Sequence, residues 1–488
     1  MGSSQPTRRV WRLVRTTRGN PHRSALLCAG LVGTLVLSIT SSSSGARPDV
    51  GAVKRLNVVF IVSDDERVQG NAVMKNVQEL LARHGVTFTN FDVTTSQCGP
   101  SRASILTGQY SHHTGVTGNF GPHGYPAFDA TSDLAVWLRN DGYQTALVGK
   151  YLNDYSLDGH NAIPPGWDDW QAMDSVPLEK YYDYELNENG RIAHFGSNPD
   201  DYSTTVLTAR ALTFLRSAQR PFFLYFAPVA PHLPAIPAPQ DKGTFVGPPY
   251  TSPSVNQQNI SAEPWASWHS RSLTHAGVDY TDSVRRHQLE SLLALDRSVK
   301  QIVSLLAQRH ELDRTVIFYT SDNGFLWGEH RLGGKLWPYR ESTHVPLIVR
   351  TPWTTANGTT NDEPILNIDF ASTVADLAEI KPSLPQDGDS FVPMLHGDTI
   401  PWRRRYLIEY LGANKLRDGG PPPYVAIRTP RYLYVQYRYH GWQELYDLHR
   451  DPWELHNVAS HTRYASTITT LRRELHALYI DRPHRNVA

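Results

Sequence analysis

Four short runs of β-prone residues each stop at a polar cluster. Asn57 to Val62 (NVVFIV) runs into Ser63-Asp64-Asp65, and Thr145 to Val148 into Gly149-Lys150. Phe222 to Ala227 (FFLYFA) runs into PVAPHLP, which carries His232, and Thr315 to Thr320 (TVIFYT) into Ser321-Asp322-Asn323-Gly324. Apolar runs of this length without polar alternation suit strands covered on both faces. The segments between them carry helical spacing. Val73 to Arg83 is one, and Val284 to His310 is another, with Leu289, Leu292, Leu293, Val299, Ile302, Val303 and Leu306 on its buried stripe. Strands alternating with helices predict an α/β fold, a large mixed but mostly parallel sheet with helices on both faces. In open sheets of this kind ligands bind beyond the carboxyl ends of the strands, so the four polar clusters are expected at one rim.

With 488 residues, 40% of them hydrophobic, the chain has material for a large core. The pattern predicts a catalytic α/β domain over 47–380. After Lys381 come Pro- and Gly-rich stretches, the aromatic run YLYVQYRYH and a final amphipathic helix, read as a smaller antiparallel sheet-plus-helix subdomain over 381–488. Lys plus Arg equals Asp plus Glu at 47 each, so no net field recruits nucleic acid or an acidic membrane surface. Residues 1–46 differ: Arg8, Arg9, Arg12, Arg15, Arg18 and Arg23 precede an apolar run, Ala25 to Ile39, and then SSSSGAR. This reads as an export signal cleaved after Ala46, or as an anchor if retained, and predicts a secreted or extracytoplasmic protein touching a membrane only there.

Cys28 lies within that apolar run, which leaves Cys98 alone in the mature chain. Exported proteins normally use cysteines in pairs, so a lone thiol asks for packing, metal binding or chemistry. Its context is TTSQCGPSRASILTG: Pro100 suits a first helical turn, Ser101 to Leu106 continues it, and Arg102 adds a cation one turn on. Asp64, Asp65, Asp322 and Asn323 offer side-chain oxygens only, a set that suits Ca²⁺ or Mg²⁺ and argues against structural zinc. Three carboxylates converging on one rim call for a cation.

Cys98, Pro100, Ser101, Arg102 and Thr107-Gly108, with the strand-end pairs Asp64-Asp65 and Asp322-Asn323, resemble the sulfatase family, the formylglycine-dependent members of the alkaline phosphatase superfamily. ELYDLHRDPWELHN, Glu444 to Asn457, is similar to the family's C-terminal signature. GKYLNDY at Gly149 to Tyr155, APHLP around His232 and FYTSDNG are similar to the N-acetylglucosamine-6-sulfatase and heparan-type branch. The resemblance implies that a formylglycine-generating enzyme oxidises Cys98 to an aldehyde whose hydrate is the nucleophile. It implies that Ca²⁺, ahead of Mg²⁺, is held by Asp64, Asp65, Asp322, Asn323 and the oxygen of residue 98. Arg102, Lys150 and Lys335 would surround the sulfate, and His232 would contact it or protonate the leaving oxygen. One hydroxyl of the hydrate would attack sulfur in line, and deprotonation of the other would later expel sulfate and restore the aldehyde.

The chain departs from the family at Leu152, where many members carry a histidine. His112 is the expected replacement for proton transfer, with His113 and His330 as further candidates. The implied substrates are sulfate esters of amino sugars or glycosaminoglycan fragments, and aryl sulfates. Two rival readings remain open: a phosphonate or phosphate ester hydrolase of the same superfamily, and a sulfated-glycan binding protein with Cys98 unmodified. Trp265, Trp268 and Tyr424, in the long segments Pro237 to Trp268 and Leu411 to Tyr424, are candidates for stacking on sugar rings or local packing anchors.

Overall fold

All four apolar runs lie side by side in one sheet. In chain order its strands are β1 (Asn57–Ser63), β2 (Gly85–Phe88), β3 (Gln144–Gly149), β4 (Asp169–Met173), β5 (Tyr184–Glu188), β6 (Arg191–Phe195), β7 (Phe222–Ala227), β8 (Thr315–Ser321), β9 (Leu347–Arg350) and β10 (Thr359–Asn361). They are arranged β10-β2-β9-β8-β1-β7-β3-β4-β5-β6. The central strands β8, β1, β7, β3 and β4 are mutually parallel, and β9 and β5 run against their neighbours. This computed structural model describes residues 55–480 except 160, 174–179, 247, 249, 269–270, 355–356 and 439–440. The segment read as an export signal lies outside the described residues, among which no helix is long and apolar enough to cross a membrane.

Every residue of β1, β7 and β8 is buried, as unbroken apolar runs require. Alternate residues of β1 then serve opposite faces. Val58, Phe60 and Val62 pack with helices α2 (Cys98–Thr107), α3 (Leu134–Asn140) and α6 (Asp369–Leu377). Val59 and Ile61 pack with α1 (Lys75–Leu80), α4 (Ser203–Ser217) and α5 (His275–Gln308). Two helix boundaries differ from the spacing. The α1 helix is shorter because 3₁₀ turns flank it at Val68–Val73 and Ala82–His84. The α5 helix starts nine residues before Val284, where Thr274 caps it by accepting from the Gly277 N–H at 3.1 Å. That first stretch is largely exposed, so apolar periodicity cannot reveal it.

The small antiparallel sheet comprises β11 (Tyr406–Tyr410), β12 (Tyr424–Arg428), β13 (Tyr432–Tyr437) and β14 (Gln443–Asp447), paired in chain order and packed with α7 (Ala465–Ile480). Phe391, Met394 and Leu395 belong to the core beneath α6, so the chain between Lys381 and Tyr406 packs on the main sheet. Trp265 and Tyr424 are buried packing anchors, not sugar platforms. The Trp265 indole N–H donates to Glu444 at 3.0 Å, and the Tyr424 hydroxyl donates to the Leu336 carbonyl at 2.9 Å. Trp268 is half exposed.

Candidate active site

The ends of β1, β3, β7 and β8 converge, and α2 delivers Cys98 at its first residue. The turn after β1 needs Asp65 in the left-handed region (φ 71°), a conformation Asp tolerates better than most residues. The Asp65 N–H donates to Asp322 at 3.2 Å, tying the two strand ends together. After β3, Gly149 (φ 117°) passes so close to β7 that a Cβ would stand 2.1 Å from the Ala227 carbonyl oxygen. Only glycine fits there, and it lets the Lys150 N–H donate to that same carbonyl at 2.7 Å.

Lys150 Nζ reaches Asp64 at 2.5 Å, and Arg102 lies between Asp322 (2.8 Å) and Asp64 (3.6 Å). The Arg102 guanidinium also donates to the Lys150 carbonyl at 3.0 Å. Lys335 bonds Asp65 and donates to Cys98 Sγ at 2.8 Å. His232 Nε2 stands 3.6 Å from Asp65, its ring held by Nδ1 on the Leu233 carbonyl at 2.7 Å. The Tyr181 hydroxyl steadies that loop by donating to the His232 carbonyl at 2.8 Å. Asn323 donates to Asp65 at 2.6 Å. Nine of the ten candidate residues are therefore neighbours: Asp64, Asp65, Cys98, Arg102, Lys150, His232, Asp322, Asn323 and Lys335.

His112 is the exception. Its Nδ1 lies 2.9 Å from Glu409 of β11, and its ring stacks on Tyr110 and on Tyr479 of α7. These partners face the small sheet, so the chain after α2 carries His112 away from Cys98. His113 bonds Asp387 at 2.8 Å, and His330 is buried against Gln257. Leu152, at the departure from the family pattern, is an ordinary core residue. Among the described histidines only His232 stands in the cluster with Cys98, Asp64 and Asp65.

Burial would raise the Asp64 carboxyl, but Lys150, His232, Arg102 and Lys335 outweigh it and hold Asp64 well below the usual carboxylate range. The reverse holds for Cys98, where burial raises the thiol well above its ordinary value despite Lys150 and Lys335. The unmodified side chain is therefore a neutral thiol at physiological pH and a poor nucleophile, whatever its helix N-terminus contributes.

The three carboxylates meet three cations of the chain itself, Arg102, Lys150 and Lys335, so charge balance alone does not demand a metal. Two other observations fit one. Asp64, Asp65, Cys98 and His232 place ligand atoms within 4.8 Å of one another. Beside them Asn323 Oδ1 is buried without a hydrogen-bond partner among the described residues, an acceptor whose burial is costly until something binds it. The donors are mainly hard oxygens.

A cavity of about 420 Å³ opens from this cluster between Asp65, His232 and Lys335 on one side and Tyr280, Val284 and Trp327 on the other. The sequence reading passed over this wall. Its one signal is Tyr280, a large aromatic on the polar first turns of α5, 67% exposed in the structure.

The Sulfatase family model matches residues 56–380, and the model described as N-sulphoglucosamine sulphohydrolase, C-terminal, matches 328–481. Human N-acetylglucosamine-6-sulfatase is 32% identical over 91% of this chain and 88% of its own length. N-acetylglucosamine-6-O-sulfatase of Bacteroides thetaiotaomicron is 27% identical over 88% and 87%. Among solved structures, BT4656 in complex with its substrate D-glucosamine-2-N,6-O-disulfate superposes with a TM-score of 0.74 (24% identity, 89% of this chain and 100% of that one). Phosphonate monoester hydrolase of Agrobacterium radiobacter gives 0.71 (23% identity, 87% and 95%), a likeness of fold. A family match over most of the main sheet, joined to relatives a third identical along nine-tenths of the chain, makes this protein a sulfuric ester hydrolase of the sulfatase family, in the branch of the N-acetylglucosamine-6-sulfatases.

Proposed function

We propose that the protein hydrolyses 6-sulfate esters of glucosamine-type sugars through a formylglycine derived from Cys98, with calcium at the rim. The observation that carries this reading is the position of Cys98 Sγ, 2.8 Å from Lys335 and 3.6 Å from Asp64, at the first residue of a helix. The substrate class follows the names of the relatives, which act on N-acetylglucosamine 6-sulfates.

Asp64, Asp65, Asp322 and Asn323 would hold the calcium ion, whose charge polarises the sulfate when bound. The formylglycine hydrate supplies a hydroxyl nucleophile that a neutral buried thiol cannot. Lys335 and Lys150 flank residue 98 and present ammonium groups to the sulfate oxygens. Arg102 fixes the direction of Asp64 and Asp322, helps hold the Asp64 carboxyl down and opposes the rise that burial and Asp64 impose on Asp322. His232, with Nδ1 committed to a backbone carbonyl, turns Nε2 toward the cluster and is the group placed to hand a proton to the leaving oxygen. The Tyr280 and Trp327 wall would receive the sugar ring.

Two measurements test this. Mass analysis of the Cys98 peptide, from protein made together with a formylglycine-generating enzyme, should show aldehyde; an intact thiol in active protein overturns the mechanism. Rates on glucosamine 6-sulfate and on an aryl phosphonate monoester separate sulfatase from phosphonate hydrolase activity, and a faster phosphonate rate overturns the substrate assignment.

A further inference from the structure

A second group of ligating side chains lies outside the site described above. His330, Glu341 and Glu454 are all buried, and one ligand atom from each lies within 4.8 Å of the others. His330 Nε2 and a Glu341 carboxylate oxygen are 4.0 Å apart.

The tautomer of His330 can be deduced. Gln257 Nε2 donates to the carbonyls of Asn259 (2.9 Å) and Leu455 (2.7 Å), which fixes Gln257 Oε1 as the atom facing the ring. His330 Nδ1 lies 2.9 Å from that oxygen and must carry the proton. Nε2 is then a bare lone pair. It is buried, has no hydrogen-bond partner among the described residues, and points toward two carboxylates. Burial also drives the imidazole down to about 4, so it stays neutral at physiological pH. Tyr339 stacks on the ring with centroids 4.2 Å apart and fixes its plane. A histidine with one nitrogen donating to an oxygen and the other bare is how metal-binding imidazoles are oriented.

The carboxylates are held as well. Glu341 accepts from the Ser254 hydroxyl at 3.2 Å, and Glu454 accepts from the Arg340 N–H at 3.0 Å. Arg67 bonds Glu329 at 2.7 Å and keeps one buried guanidinium nitrogen without a hydrogen-bond partner among the described residues, while Arg428 lies 2.9 Å from one oxygen of Glu454. The carboxylates are thus partly satisfied from outside, and among the described residues no donor reaches His330 Nε2 itself. A cavity of about 320 Å³ bordered by Arg67, Gln69, Glu341, Trp453 and Glu454 gives a small ion a way in.

We propose that His330, Glu341 and Glu454 bind a divalent transition-metal ion, zinc by preference, at a structural site separate from the catalytic rim. One imidazole nitrogen with two carboxylate oxygens suits zinc better than calcium or magnesium. In a tetrahedral site with bonds of about 2.0–2.2 Å the ligand atoms stand roughly 3.3–3.6 Å apart, so the 4.0 Å pair must close by about half an ångström and the wider separations by more when the ion binds. The ion ties the loop after β14, which supplies Glu454, to the segment after β8, which supplies His330 and Glu341.

The full chain, stripped with chelator and then dialysed against zinc with calcium present, tests the site by metal analysis. Wild-type protein should retain one more zinc per chain than His330→Gln, with equal calcium in both, and zinc should raise the unfolding temperature of the wild type only. Equal zinc in the two proteins overturns the proposal. Crystals of zinc-treated wild type, measured at the zinc edge, decide independently of how the variant folds. An anomalous peak beside His330 Nε2 supports the site, and its absence shows that a proton shared between Glu341 and Glu454, or a water, fills the gap.

Discussion

Lys335 Nζ donates to Cys98 Sγ at 2.8 Å while also bonding Asp65, so one ammonium group joins the carboxylates of the rim to the first residue of α2. Lys335→Ala should therefore lower kcat on a sulfate ester by roughly 10²–10³, the usual loss when one preorganised charge on a transition state is removed. Steady-state kinetics check this, and a variant within a few-fold of wild type would exclude Lys335 from the chemistry. Cys98→Ala should abolish turnover.

Asn323 leads to different expectations with and without metal. Its Oδ1 is buried and unpartnered while its Nδ2 donates to Asp65 and to the Gly324 carbonyl, so in Asn323→Ala relief of the first offsets part of the loss of the second, and the metal-free protein should lose no more than about 1–2 kcal/mol. The same variant should bind calcium about 10–100-fold more weakly by calorimetric titration. Chelation should inactivate the wild type, with calcium restoring it.

Arg102 is a buried cation between two buried carboxylates, 2.8 Å from Asp322 and 3.6 Å from Asp64. Arg102→Leu strands Asp322, while Asp64 keeps Lys150, and denaturant unfolding should show a loss of about 3–5 kcal/mol. Adding Asp322→Asn should recover part of that loss, because the second change removes a charge the first left unpaired. Strict additivity of the two changes would argue against the bridge.

Asp133 caps α3 by accepting from the Val136 N–H at 3.0 Å, yet burial pushes its carboxyl up to about 7. The folded state thus holds a proton that the unfolded chain releases near pH 4. This contribution is complete below that pH and is lost as pH rises toward 7, with a slope of up to about 1.4 kcal/mol per unit. Asp133→Asn keeps the cap and should flatten the curve of stability against pH between about 4 and 7. An unchanged curve would show the carboxyl ionised throughout.

Tyr280, 67% exposed on the cavity wall, has little packing to lose. Tyr280→Ala should raise KM for an amino-sugar sulfate several-fold while leaving kcat and the unfolding temperature nearly unchanged.

Strands were easiest to read from the chain because β1, β7 and β8 are buried at every residue, and an all-apolar run admits few other readings. Their polar ends were legible for the same reason: Asp64, Lys150, His232 and Asp322 each follow such a run. His112 shows the limit. It lies only four residues beyond Gly108, where the α2 helix ends in the left-handed region (φ 72°), and that reversal sends the chain toward Glu409. No local pattern encodes a partner 297 positions away. The His330, Glu341 and Glu454 group escaped for the same cause, as its third member comes from the C-terminal sheet region. The charge argument for a metal counted only the carboxylates, although Arg102, Lys150 and Lys335 were expected at the same rim, where they balance them.

Cys98 is 1% exposed, and every residue of the helix it begins is buried. If Cys98 is converted as proposed, the maturing enzyme would have to reach that sulfur before the fold closes around it. Conversion would then take place on the nascent or unfolded chain, in competition with folding. Under that competition the share of active molecules in a preparation would be set by timing during synthesis, and a well-folded, stable and soluble sample could still be largely inert.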